Sequence, residues 1–516
     1  MSEREYIVSL KRDVDYEAFD AEMVATTGSG AIPNRSATIT NARPGSKRNT
    51  HYMLTDAEAD ALRNDPRVYG VEIPPDQRDD ITMVRYATQE GDFTKTTLDR
   101  GFFINWGLRR LNEETNPYTD ETVTGNYDYT LDGTGVDIVI QDSGIQADHP
   151  DFNDSEGTSR VQQINWYTES GLTGSQNANH YRDYDGHGTH CAGIAAGLTY
   201  GWAKNARIYS VKVDGLEGFG DNGTGISVTD CFDVIKEWHN NKPVDPSTGF
   251  KRPTIVNMSW GYQAQFTTVS SINYRGTSYT GTDIDSTDEW VQYGLIPNWN
   301  GVVYQAPVRV SSVDTDVQEM IDAGIHVCIA AGNSFTKIDT LSGDDYDNNA
   351  VTNGGTVYYH RGSSPFDDEA HIVGNIDSTE HTGGLEQKAE SSNTGPGVSI
   401  YAPGTNIMST CSTTTRFDPD TGPYPNDTDY KITNISGTSM ASPQIAGLLS
   451  LYAQLNPNAT PQQAKAYLDY NAIDDQVYST GLATDYSDYR SLLGSNNKFA
   501  FNKFNRAVKL TVGNNS

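Results

Sequence analysis

The chain has 516 residues, with 37 Lys and Arg against 68 Asp and Glu, for a formal charge of −31. That acid excess, unbroken by any basic patch, excludes nucleic acid as a partner and fits a self-repelling, water-exposed surface. The length exceeds one typical domain and can bury a large core, no apolar stretch is long enough to span a bilayer, and four cysteines in so long a chain make no disulfide scaffold.

Apolar alternation over residues 6–10 predicts a strand, and residues 15–24 read as a helix. Thr55-Asp-Ala-Glu58 is a capping box that opens a helix running towards Asn64, and residues 68–73 read as another strand. Residues 1–76 are therefore expected to form a small α+β domain. The polar stretch that begins Pro74-Pro-Asp-Gln-Arg-Asp-Asp80 marks residues 77–105 as a linker. Residues 1–11 show no basic start and apolar core of the secretory kind, which leaves the compartment open between export, release by lysis, packaging in a particle and an intracellular life.

A third part is expected over residues 106–516. A run of β-branched residues after Val136 reads as a buried strand that ends in Asp142, Ser143 and Gly144. Asp185-Gly-His187-Gly-Thr-His190-Cys191 is a glycine loop opening into a helix of small residues. Val228, Cys231, Phe232, Ile235 and Trp238 form one helical stripe, and Val313, Val317, Met320 and Ile321 form another that stops at Gly324. Residues 325–330 read as a buried strand delivering Asn333. In Gly437-Thr-Ser439-Met-Ala-Ser-Pro443, Gly437 lets the backbone bend and Pro443 fits a first helical turn, so Ser439 is expected on a sharp turn at a helix N-terminus. Thr460-Pro461 starts one more helix. Strands alternating with helices predict an α/β fold with a doubly wound parallel sheet, whose strand ends and helix starts share a crevice. Residues 262–305, Tyr/Thr/Ser/Asn-rich and without helical period, read as an insertion, as do 338–368, 411–430 and 472–493.

The three segments around Asp142, His187 and Ser439, in that chain order, resemble the signature motifs of the subtilisin-like serine proteases, the subtilases. The resemblance covers most of the chain from about Trp106, and the run from His187 to Lys204 looks closest to the proteinase K branch. It implies a serine endopeptidase with Asp142, His187 and Ser439 as its triad, and Asn333 as the amide donor to the oxyanion. By the same resemblance, Gly223 and Gly225 on one side and Ser259, Trp260 and Gly261 on the other would hold a protein or peptide substrate as an added strand. Residues 1–76 resemble the family's inhibitory propeptide, a ferredoxin-like α+β unit, which would make the chain a zymogen inhibited by its own N-terminus and processed within 77–105. No cofactor is implied. His149-Pro-Asp151 matches a segment whose aspartate can help bind calcium, but the short Leu198-Thr-Tyr-Gly turn replaces the loop that supplies its partner oxygens, so that site is expected to be absent. The acidic loops could supply calcium ligands elsewhere, yet no ordered spacing assigns a site, and no metal residue is named.

Plainer readings hold for the neighbours. His190 is expected to be structural, Ser143 to support Asp142, and Cys191 to be a buried free thiol like Cys231 and Cys328, with Cys411 left open. Trp260 could wall a subsite or simply pack. The rival function is a catalytically silent subtilase-like structural or binding module of a larger assembly such as a virion, against which stands the intact set of four.

Overall fold

The computed structural model describes residues 3–25, 35–43, 45–85, 105–116, 129–218, 220–296, 304–378, 383–480 and 486–504. The first unit runs β1 (Arg4–Leu10), α1 (Tyr16–Val24), β2 (Thr38–Asn41), β3 (Asn49–Leu54), α2 (Asp56–Leu62) and β4 (Val68–Glu72). Its four strands are antiparallel in the order β2-β3-β1-β4, the βαββαβ arrangement of a ferredoxin-like unit. Tyr6, Val8 and Leu10 share one face of β1 and pack with Phe19, Met23, Tyr52 and Leu54 in a core of their own. The alternate residues Ile7 and Ser9 are buried as well, because the other face of this sheet meets the rest of the protein. The sequence reading passes over β2 and β3. The first is short, and β3 is buried on both faces, so its residues do not alternate.

Immediately beyond lies a departure from the expected linker. Residues Ile81–Arg85 form a strand, β5, while residues 86–104, the remainder of that stretch but for Asn105, lie outside the described residues.

The larger unit continues through α3 (Trp106–Arg110), β6 (Asp137–Asp142), α4 (Trp166–Ser170), α5 (His187–Ala196), β7 (Arg207–Lys212), α6 (Val228–Asn241), β8 (Thr254–Met258) and β9 (Trp260–Phe266). Then come β10 (Val269–Tyr274), β11 (Thr277–Tyr279), α7 (Thr287–Gln292), β12 (Tyr304–Pro307), α8 (Ser311–Asp322) and β13 (His326–Ala330). They are followed by β14 (Asn349–Thr352), β15 (Gly355–Tyr358), β16 (His371–Ile376), β17 (Ile400–Pro403), β18 (Ile407–Cys411), β19 (Gly422–Tyr424) and β20 (Asp427–Ile435). The chain finishes with α9 (Thr438–Leu455), α10 (Pro461–Asn471), β21 (Ile473–Asp474) and β22 (Lys498–Phe499).

Eight of these strands form the central sheet, β21-β22-β17-β16-β13-β8-β6-β7, parallel except for the edge strand β21. From β6 the chain goes out to β7 on one side and then returns to β8 on the other. The strand order reverses there, which opens a crevice at the C-terminal ends of β6 and β8. Helices α5 and α9 pack together in one layer, with α9 crossing β8, β13, β16 and β17, while α6 and α8 pack together in the other layer. No helix among the described residues is long and apolar enough to cross a membrane.

The insertions are more regular than their composition suggests. Within 262–305 the chain extends β9, turns through β10 and β11 and forms α7 with a Ser286–Glu289 capping box, so a helix does occur there. Strands β10, β11, β14 and β15 make a four-stranded sheet over a separate core that includes Phe266, Ile272, Trp290 and Tyr359. Residues 411–430 contribute β19, which joins β18 and β20 in a three-stranded sheet.

Candidate active site

Strand β6 ends in Asp142, whose Oδ1 accepts the N–H of Ser143 at 2.7 Å. Helix α5 starts at His187, and its Nδ1 lies 2.8 Å from Asp142 Oδ1 and 3.0 Å from Oδ2. This closeness depends on Gly188, where a Cβ would come within 2.2 Å of the Gly144 carbonyl oxygen. The loop before His187 is pinned by a carboxylate that the sequence reading missed. Asp183 Oδ1 accepts from Ser143 Oγ (3.1 Å), Asp185 N (3.1 Å) and Gly186 N (2.9 Å), and Oδ2 accepts from Thr189 N (2.9 Å) and Oγ1 (2.5 Å). Burial, with the neighbouring Asp185 charge, holds the Asp183 carboxyl above its ordinary range against the pull of these donors. Its signal was the Asp-x-Asp-Gly spacing, which taken alone reads as an ordinary turn.

Ser439 sits in the first turn of α9, after Gly437 at φ 153° and ψ 167°, a backbone region that is essentially glycine's alone. Pro443 is not in that first turn, because α9 already starts at Thr438. It occupies the second turn, where its missing N–H would have bonded the Ser439 carbonyl. That carbonyl instead accepts from Ser259 Oγ at 3.0 Å and Cys191 Sγ at 3.5 Å, while Ser439 Oγ donates to the Ser259 carbonyl at 3.0 Å. A proline that breaks the helical ladder thereby ties the Ser439 turn to the end of β8.

Asn333 follows β13, and its Oδ1 accepts from Thr438 N and Oγ1, both at 3.0 Å. Its Nδ2 is buried and has no hydrogen-bond partner among the described residues, and the same holds for His187 Nε2. Asp142, His187 and Ser439 are fully buried. The site therefore gathers a hydroxyl, an imidazole held by a carboxylate, and an orphan amide donor in one desolvated place.

A match to the family model described as "Subtilase family" covers residues 133–502. The chain belongs to the subtilases, a family of serine endopeptidases. Among its curated relatives, an extracellular serine proteinase of Thermus sp. (strain Rt41A) is 27% identical over 84% of this chain and 73% of its own length. The subtilisin-like serine protease Pen c 2 of Penicillium citrinum is 30% identical over 81% of this chain and 70% of its own. A solved cold-adapted subtilisin-like serine proteinase matches at 23% identity, covering 78% of this chain and 98% of that one, with a TM-score of 0.45.

In this subtilase β9 is the central strand of a three-stranded sheet, paired with β12 on one edge and with β5 on the other. The β5 pairing is antiparallel and sets Val84 opposite Gly261 and Arg85 opposite Trp260, along the segment expected to hold substrate. Trp260 itself is fully buried, with its ring 6.3 Å from Phe232 and 5.8 Å from Tyr262, so it packs. Gly223 and Gly225 are not brought to β5 in any described pairing. Lys212 Nζ draws their loop inward by donating to Asp221 Oδ2 (2.5 Å) and Thr224 Oγ1 (2.9 Å). On that flank it is Gly215 whose Cβ would lie 4.0 Å from Met83 Sδ.

The neighbours take structural parts. His190 Nε2 lies 3.0 Å from the carbonyls of both Ile407 and Thr433, and all four cysteines, Cys411 included, are buried and free. Asp142, His187 and Cys191 are close enough together to hold a metal ion. Burial raises the Cys191 thiol well above its ordinary range, however, and a protonated thiol is a poor ligand. Near Asp151, Lys204 Nζ donates to the carbonyls of Leu198 (2.6 Å) and Gly201 (2.8 Å), so the short turn is held by a side-chain cation.

Proposed function

We propose that this subtilase hydrolyses peptide bonds through Ser439, His187 and Asp142 by way of an acyl-enzyme, and that its N-terminal unit holds it as a zymogen. Ser439 Oγ exchanges its bond to the Ser259 carbonyl for attack on the substrate carbonyl, and His187 Nε2 takes the proton. Asp142 keeps the Nδ1 proton in place and stabilises the imidazolium. The oxyanion falls to Asn333 Nδ2 and the Ser439 N–H at the positive end of α9. His187 Nε2 then protonates the leaving amine, and water releases the acyl group by the reverse path. The chemistry needs protein groups alone. The observation that carries the reading is the imidazole held by a buried carboxylate, His187 Nδ1 at 2.8 Å from Asp142 Oδ1, beside the turn that opens α9 with Ser439.

Self-inhibition is supported by β5, which lies on β9 as a bound peptide would, so substrate must displace it.

A fluorophosphonate probe tests the chemistry. It is expected to label processed protein at Ser439 and to leave Ser439→Ala unlabelled. Folded, processed protein that resists the probe would favour the silent module instead.

A further inference from the structure

The face by which the N-terminal unit meets the larger one holds an ion cluster that peptide hydrolysis does not use. Arg43 is 1% exposed and adopts φ +42°, a left-handed conformation that a non-glycine residue keeps only where its surroundings hold it. Its side chain reaches across to α6 and α8. Nη2 lies 3.3 Å from Asp233 Oδ1 and 2.9 Å from Asp316 Oδ1, and Nε donates to Asp233 Oδ2 at 3.3 Å. Asn49, at the start of β3, gives Asp316 Oδ1 a second donor at 2.8 Å. The other cation at hand, Lys236, is committed to Glu319 at 2.5 Å and stands 4.0 Å from Asp233. Asp233 and Asp316 are both buried, and burial pushes both carboxyls upward against the pull of Arg43. Two desolvated carboxylates thus share one imported guanidinium. Such a cluster adds little net glue compared with an apolar contact, but it penalises heavily any partner that lacks the cation.

We propose that Asp233 and Asp316 form a guanidinium-binding exosite on the outer helix layer, that its ligand class is an arginine side chain presented on a left-handed turn, and that Arg43 as resident ligand sets how long the N-terminal unit stays docked. This rests on the reading of that unit as an inhibitor. A lysine meets the site less fully, because Arg43 adds to the Nη2 that both carboxylates share a second donor, Nε, for Asp233 Oδ2. The mature enzyme would then present an anionic recess that selects inhibitors or substrates carrying such a turn.

The test uses the full chain with Arg43→Ala and Arg43→Lys, following the lag before activity on casein and the co-elution of the N-terminal fragment with the larger one. Arg43→Ala is expected to shorten the lag by about 30-fold or more, the effect of truncating one partner of a buried charge pair, and Arg43→Lys to shorten it less. Arg43→Ala combined with Asp233→Asn and Asp316→Asn should win back part of it, because no uncompensated charge remains. A latent wild type with unchanged lag in both single variants overturns the exosite. A wild type with no lag refutes the inhibitory reading instead, and the exosite is then read in Ser439→Ala chains by hydrogen exchange. There Arg43→Ala should speed exchange across α6, α8 and β3, and equal rates would overturn it.

Discussion

Asn333 works with two different atoms. Oδ1 caps the first turn of α9 through Thr438, while Nδ2 has no hydrogen-bond partner among the described residues. The two atoms can be separated by mutation. Asn333→Ala removes both, leaving a helix N-terminal N–H without its acceptor at a cost of about 1 kcal/mol in stability. On the proposed mechanism it also removes an oxyanion donor, worth about 2.7–4 kcal/mol by measurement in a member of this same family. Asn333→Asp keeps the acceptor and suits the positive end of the helix, but it sets a negative charge against the oxyanion. Both variants should lose about 100-fold or more in kcat, with melting lowered in Asn333→Ala alone; steady-state kinetics and calorimetry on the same samples check the split. Equal loss of melting temperature in both would mean that the cap is not held by Oδ1.

At the level of elements, local signals carried far where an element advertises itself through its own residues. Thr55 and Glu58 make the expected reciprocal bonds, Thr55 N to Glu58 Oε2 at 2.8 Å and Glu58 N to Thr55 Oγ1 at 3.4 Å. Asp142, His187 and Ser439 could be placed because each lies at the end or start of a regular element, and Asn333 because a buried strand stops shortly before it. The rest was hidden for physical reasons. Strand β5 has no partner near it in sequence and exists only by pairing with β9, nearly two hundred residues on. Helix α7 is short and buries Trp290 alone, so it shows no period, and its capping box was the only cue. Asp183 looks like any turn aspartate until five donors are seen around it. Thr55→Ala should cost about 1 kcal/mol and weaken α2 by the matching fivefold or so. Hydrogen exchange at the Glu58 amide in the Ser439→Ala chain reads that directly, and unchanged exchange would mean that packing of Ala59 and Leu62 holds the helix without its cap.

Over the whole molecule, three of the four insertions converge on one carboxylate. Asp345 is fully buried and accepts from Arg275 at 2.7 and 2.9 Å, Lys337 at 2.7 Å, Asn348 at 3.0 Å and Tyr486 at 3.0 Å. Arg275 comes from the β10–β11 turn and Tyr486 from the last insertion, whose ring stacks on His360 at 5.3 Å. Burial pushes the Asp345 carboxyl up, but hydrogen bonds from Arg275 and Lys337 more than reverse this and hold it well below the usual carboxylate range. The folded state therefore favours the charged form. This contribution is complete above the unfolded carboxylate value of about 3.9 and is lost as pH falls below it. Removing the charge at neutral pH leaves Arg275 and Lys337 facing a neutral group, a loss of about 3–5 kcal/mol for a broken buried pair. Asp345→Asn should accordingly melt well below wild type at pH 7, and the gap should narrow as pH drops from about 4 towards 2. Because the four-stranded sheet has its own core, it should detach from the central sheet first, seen as early proteolysis within residues 262–368. A gap that stayed constant with pH would show that packing of Phe266, Trp290 and Tyr359 holds these segments together without the ion cluster.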